Sequence, residues 1–235
     1  MRPARSVSMK DVARLAQVSV GTVSNVLNAP DRVTAPTRIR VEEAIEKLGW
    51  VPNESARQLR AGRSRSIGMV IMDIANPFFT DVVKGVEEVL YREQYSVQIG
   101  NSDQRIDREL TLLDRFEQQR VGGVLFAPVG DSAERVLSLR RRGIPVVIVD
   151  RAGISSDFCS VGVDDLVGGN LAGRHLIEQG HNRLAFVGGP SSLAQVRDRR
   201  GGIELAVEQA GRDVTLLAVS TPGLTLDAGV AAAGD

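Results

Sequence analysis

The chain has 235 residues, 43% hydrophobic and 25% charged, with a formal net charge of zero, enough for a small domain beside a larger one with its own core. No apolar stretch approaches a membrane span, the N-terminus lacks the apolar centre of a signal peptide, and one cysteine, Cys159, excludes an internal disulfide, so a cytoplasmic protein is expected. The zero charge conceals a segregation, because residues 1–65 hold twelve Lys or Arg against six Asp or Glu, a net of +6, while the remainder holds seventeen against twenty-three, a net of −6. A polyanion partner at the N-terminal end would favour that division, since neutralising phosphates releases counterions.

In chain order, Val12, Ala13 and Leu15, then Val23, Val26 and Leu27, fall at helical spacing on two short segments, and Ser19 stands where an N-cap would open the second. Neither segment is long enough to be stable alone. They need a third helix, predicted from Thr37 to Leu48 with Ile39, Val41, Ala44, Ile45 and Leu48 as its apolar residues and Gly49 as its stop. The face left exposed on the second helix is small and polar: Gly21, Thr22, Ser24, Asn25 and Asn28. A solvated bundle would carry Glu and Lys there, whereas hydroxyls and amides suit base edges and phosphate oxygens. Residues 1–50 thus read as a helix-turn-helix headpiece for double-stranded DNA. Residues 51–65 follow as a hinge, with Pro52 at a helix start and Gly62 at its end. One reading is a flexible linker; the other is a helix that orders on DNA and presses Leu59 into the minor groove as a wedge, with Arg60 beside it as a phosphate contact.

Past residue 65 short apolar runs alternate with amphipathic segments. Strands are predicted at Ile67 to Met72, Ser96 to Ile99, Gly123 to Ala127, Pro145 to Val149, Ser160 to Val163, Leu184 to Val187 and Val214 to Val219. Helices are predicted at Phe78 to Gln94, Asp107 to Gln119, Ala133 to Arg142, Leu166 to Gln179 and Leu193 to Ala210, and a further one opens near Thr225. This alternation argues a parallel, doubly wound α/β sheet, whose ligand crevice lies at the carboxyl ends of the strands. The residues there are Asp73 to Phe79, Asn101 to Asp103, Ala127-Pro128, Asp150-Arg151 and Gly188 to Pro190. Cys159, in an apolar run, is expected to be an inert buried thiol. No cofactor or metal is expected: glycine motifs for dinucleotides or nucleoside triphosphates are missing, and His175 and His181 flank a helix end where a cation suits the terminal carbonyls. Asp164-Asp165 is placed at a helix N-terminus, with no partner visible for acid/base work.

Lys10-Asp11-Val12-Ala13 through Thr22-Val23-Ser24, and Pro52-Asn53 through Ala56-Arg57-Gln58-Leu59, resemble the headpiece and hinge of bacterial transcription repressors of the LacI/GalR family. The resemblance implies a homodimeric, non-enzymatic repressor of carbohydrate genes controlled by a small-molecule sugar. Val20, Gly21 and Asn25 would read bases, Asn53 would belong to the hinge, and Leu59 would intercalate. Residues 66–235 would form an effector domain of the periplasmic-binding-protein type, with a first lobe near 66–163 and a partial second lobe near 164–235. In it Asp73, Asn76, Phe78, Phe79, Asp150 and Arg151 would face the sugar from the first lobe, and Gln195 and Arg199 would reach it from the second. Core packing for Phe78 and Phe79 and a surface pair for Asp150-Arg151 are the competing readings. Gln17 stands where many members have a turn glycine, Asn25 where arginine is frequent, and Ala127 where pentose binders often have asparagine. The helix opening at Thr225 looks cut off, so a truncated second lobe, weak dimerisation and a weak sugar response are expected. A non-regulatory sugar-binding protein and an α/β enzyme are the alternatives.

Overall fold

The computed structural model describes residues 7–51, 64–151, 158–211 and 213–233, so the predicted hinge helix lies outside the described residues. The chain divides into two units, Met1–Gly62 and Arg63–Asp235.

In the first unit, α1 (Met9–Leu15) opens on Ser8, whose backbone N–H and hydroxyl donate to the Asp11 carboxylate at 3.0 and 2.6 Å. This satisfies donors that a helix start would otherwise leave unpaired. Helix α2 (Val20–Asn28) opens on Ser19, whose hydroxyl oxygen accepts from the Thr22 N–H at 3.0 Å. A single 3-10 turn, Pro30–Arg32, leads to α3 (Ala35–Leu48). That helix begins two residues before the predicted Thr37, because Pro36 fits a first helical turn. It ends at Gly49, φ +56°, where the Trp50 N–H returns to the Ile45 carbonyl at 3.1 Å. Val12, Ala13, Ala16, Val23, Val26, Val41, Ala44 and Trp50 are buried together. Leu15 and Ile39, expected in that core, are 42% and 51% exposed. Helices this short pack along one narrow stripe, which Val12 in α1 and Ala16 at its C-cap hold on one side and Val41 and Ala44 hold in α3, and Trp50 fills the remaining space.

The second unit is built on a parallel five-stranded sheet of β1 (Ser66–Ile71), β2 (Ser96–Asn101), β3 (Gly123–Phe126), β4 (Val146–Val149) and β5 (Cys159–Val161), in the order β2-β1-β3-β4-β5. Its crossovers are α4 (Pro77–Arg92), α5 (Ile106–Gln118) and α6 (Ala133–Arg141). The chain leaves β1 toward β2 on one side and returns to β3 on the other, which opens a crevice at their carboxyl ends. Both faces of β1 are covered. Val70 packs with Leu113, Phe116 and Phe126, while Met69 and Ile71 pack with Met72 and Phe79. The thiol expected to be buried is exposed: Cys159 lies on β5, a three-residue edge strand with a neighbour on one side only.

A second parallel pair, β6 (Arg183–Gly188) and β7 (Thr215–Ser220), is accompanied by α7 (Asp165–Glu178), α8 (Ala194–Glu208) and α9 (Leu226–Ala232). Helices α7 and α8 touch backbone to backbone. A Cβ on Gly169 would stand 2.0 Å from the Arg199 carbonyl oxygen, and one on Gly202 the same distance from that of Leu166. Asp164 caps α7, accepting from the Val167 N–H at 3.0 Å, and His175 occupies the last turn.

Candidate nucleic-acid face and ligand crevice

Helix α2 is held to the headpiece by Val23 and Val26, so its first-turn and outer residues face solvent. Val20, Gly21, Asn25 and Asn28 are exposed, and Thr22 and Ser24 are half-buried. Their polar groups are not equally available. The Ser19 and Thr22 hydroxyls pair at 2.9 Å, and the Asn28 amide donates to the Ser24 carbonyl at 2.8 Å. Asn25 has no side-chain hydrogen bond among the described residues, leaving a full donor and acceptor edge beside Val20 and Gly21. Asn53, Leu59 and Arg60 lie outside the described residues.

At the crevice, the first-lobe candidates divide. The Asp73 carboxylate accepts from the Ala75 N–H at 2.9 Å, and the Asn76 side-chain carbonyl caps α4 by accepting from the Phe78 N–H at 3.0 Å, with the Asn76 amide protons unpaired among the described residues. Phe79 is 2% exposed and belongs to the core; Phe78 is 39% exposed and meets it edge-on with ring centres 5.1 Å apart. Asp150 and Arg151, neighbours in sequence, part company. Arg151 lines a cavity of about 30 Å³ with Phe126, Ser132 and Phe158. Asp150, 7% exposed with φ +61°, turns instead toward α8, where the Gln195 amide donates to its Oδ2 at 2.8 Å. Its Oδ1 is buried and has no hydrogen-bond partner among the described residues. Burial holds the Asp150 carboxyl above the usual carboxylate range, opposed by the Gln195 hydrogen bond; Asp165 adds to the rise and Arg199 works against it.

Arg199 is near enough to influence Asp150 but is committed to Asp165, Nε to Oδ1 at 2.6 Å, with the Asp165 side chain 9% exposed. Asp165, expected to lack a partner, is thus ion-paired. Gly188 and Gly189 line a groove of about 350 Å³ with Phe186, Arg197, Arg200 and Ser220. Sequence reasoning passed over Met72, whose sulfur takes the second Gln195 contact at 3.8 Å, and Gln104, whose side chain accepts from the Leu224 N–H at 3.4 Å. It also passed over Glu109, fully buried on α5, which accepts from the Val129 N–H at 2.6 Å and from the Ser132 hydroxyl and so ties down the loop after β3. None of these carries a local pattern, because each acts on a segment far away in the chain. Among the described residues no cluster of His, Cys, Asp and Glu is arranged to hold a metal, and no helix is long and apolar enough to cross a membrane.

A three-helix headpiece with a free amide edge, followed by a doubly wound unit whose strand ends form a crevice, defines a DNA-binding-type module joined to a small-molecule-binding fold. Residues 8–53 match the bacterial regulatory proteins of the lacI family, and residues 64–232 match the periplasmic binding proteins and sugar binding domain of that family. The chain belongs to the LacI family. It is 36% identical over 211 residues to the ribose operon repressor of Escherichia coli K12, covering 88% of this chain and 63% of that protein. It is 35% identical over 201 residues to the transcriptional repressor PurR of Aliivibrio fischeri MJ11, covering 85% and 59%. The crystal structure of the lac repressor dimer bound to operator and an anti-inducer superposes with a TM-score of 0.80 at 25% identity, over 92% of this chain and 66% of that one. The chain therefore spans less than two thirds of the length of the curated relatives it matches.

Proposed function

We propose that this chain is a sequence-specific DNA-binding transcriptional repressor whose headpiece reads a pseudo-palindromic operator as a dimer, under the control of a sugar-like effector in the crevice. The Asn25 amide on the exposed face of α2 carries the reading: of the two side-chain amides on that helix, Asn28 spends its donor on the Ser24 carbonyl, whereas Asn25 keeps both donor and acceptor for a base edge among the described residues, a geometry suited to adenine. Net charge of +6 over residues 1–65 supplies the phosphate attraction. A dimer is supported by apolar side chains left in solvent on α4 and around the edge strand β2, where Val89 is 60%, Tyr91 79% and Ile99 43% exposed. Regulatory relatives of this chain, including one named for the ribose operon, support a regulator over a transport-type binding protein or an enzyme. The buried, half-satisfied Asp150 supports a hydroxyl-rich effector.

Fluorescence anisotropy with a two-fold symmetric site and a half-site, at several salt concentrations, tests this. Tighter binding to the symmetric site is expected, and equal affinities would overturn the dimer. Asn25→Ala should cost about 1–3 kcal/mol at one base position and relax its preference.

A further inference from the structure

We propose that the crevice is latched from within, Gln195 of the second lobe holding the Asp150 carboxylate in place of a ligand hydroxyl, so that a ligand with vicinal hydroxyls binds by displacing it. This rests on the crevice being the effector site. Asp150 ends a strand of the first lobe and Gln195 begins a helix of the second, so their 2.8 Å bond spans the opening. A second bond spans it as well, from the Leu224 N–H to the Gln104 side chain at 3.4 Å. Between the two, Leu193, Val196 and Leu224 pack against Met72, Phe79 and Ala127, so apolar side chains fill space a sugar ring would need.

The first-lobe partner in each bond sits in left-handed backbone, Asp150 at φ +61° and Gln104 at φ +54° beside Asp103 at +55°. Non-glycine residues adopt that conformation at a cost and collect at sites where a fixed geometry is used. The chemistry of the exchange is matched: the Gln195 amide and a sugar hydroxyl are both neutral donors to the same carboxylate. A ligand diol would take Oδ2 from Gln195 and also supply the donor that Oδ1 lacks, leaving neither Asp150 oxygen unpaired.

The test separates a latch from a ligand contact, because the two predict opposite signs. Nitroxides at Glu87→Cys and Glu208→Cys in a Cys159→Ser background report the distance between lobes without ligand. Gln195→Leu should lengthen or broaden that distance, and Gln195→Asn, an amide too short to reach, should do the same. An unchanged distribution in both overturns the latch. Calorimetry with D-ribose as the probe should show tighter binding to Gln195→Asn than to the parent chain, and weaker binding would make Gln195 an ordinary ligand contact and overturn the proposal. If neither chain binds D-ribose, D-ribose is not the ligand of this crevice, and the ligand-free distance decides the latch.

Discussion

Gln17 turns the chain between α1 and α2 at φ +55°, with its own N–H bonded to the Arg14 carbonyl and that of Val18 to Ala13. Gly49 closes α3 with the same pair of returning bonds and no Cβ to crowd the carbonyl. The left-handed conformation costs a Cβ-bearing residue about 1–2 kcal/mol, and glycine gives back part of that through the freedom it adds to the unfolded chain. Gln17→Gly should therefore stabilise the headpiece by up to about 1 kcal/mol, and Gln17→Ala should not. Denaturant unfolding followed by Trp50 fluorescence reads both, and equal effects of the two substitutions would refute the backbone argument. Glu109 offers a second test at this scale. Burial holds its carboxyl above the ordinary value, against the hydrogen bonds from Ser132 and Val129. Between the ordinary and the raised value the folded state binds the extra proton, so this group's contribution to stability improves as pH falls through that window and is unfavourable above it. Glu109→Gln keeps an acceptor for the Val129 N–H and a donor for the Ser132 oxygen while removing the titration. The melting temperature of the parent relative to this variant should rise on acidification through the window; a constant difference would show that Glu109 does not titrate there.

At the scale of elements, most of the fold was legible, and the failures share one cause. Strand and helix bounds in the second unit follow the apolar period closely, as with Ser66–Ile71 against the predicted Ile67 to Met72, because one period decides type wherever a face is buried. An apolar run does not say whether it lies at the middle or the edge of a sheet, and so Cys159 was misplaced. Asp150 could be named from its place at a strand end and Gln195 from the family resemblance, but not as partners, because their meeting depends on how the lobes pack. The Arg199 bond to Asp165 was hidden because it depends on how α7 packs on α8 within the second lobe. Glycines in α7 show how such packing is written in single residues. Gly168 has open space around a prospective Cβ, whereas the one on Gly169 would meet the Arg199 carbonyl at 2.0 Å. Gly168→Ala should stabilise the second unit by about 0.5–1 kcal/mol through helix propensity. Gly169→Ala gains the same propensity but must separate two backbones, and overpacking of about 1–3 kcal/mol outweighs it. Thermal unfolding of the adjacent pair should move in opposite directions, and a shared stabilisation would mean that α7 and α8 do not meet at Gly169.

For the whole molecule, the separate apolar cores of the two units predict that each unfolds as its own cooperative body. The charge division sharpens the expectation, since a ligand of phosphates should act on the unit Met1–Gly62, whose ten Lys or Arg against six Asp or Glu give a net of +4, and not on the rest, where nineteen against twenty-three give −4. A partner that binds only the folded form stabilises it by about 2.7 kcal/mol at a hundredfold excess over its dissociation constant. In a body as small as the headpiece that is a shift on the order of 10 °C or more, because little unfolding entropy opposes it. Calorimetric scans with an operator-like duplex should therefore raise only the transition that carries the Trp50 signal, and added salt should erase the rise as counterion release loses its advantage. A saturating duplex that raises both transitions equally, or a shift that survives high salt, would show that the units are thermodynamically one body or that the attraction is not to phosphate.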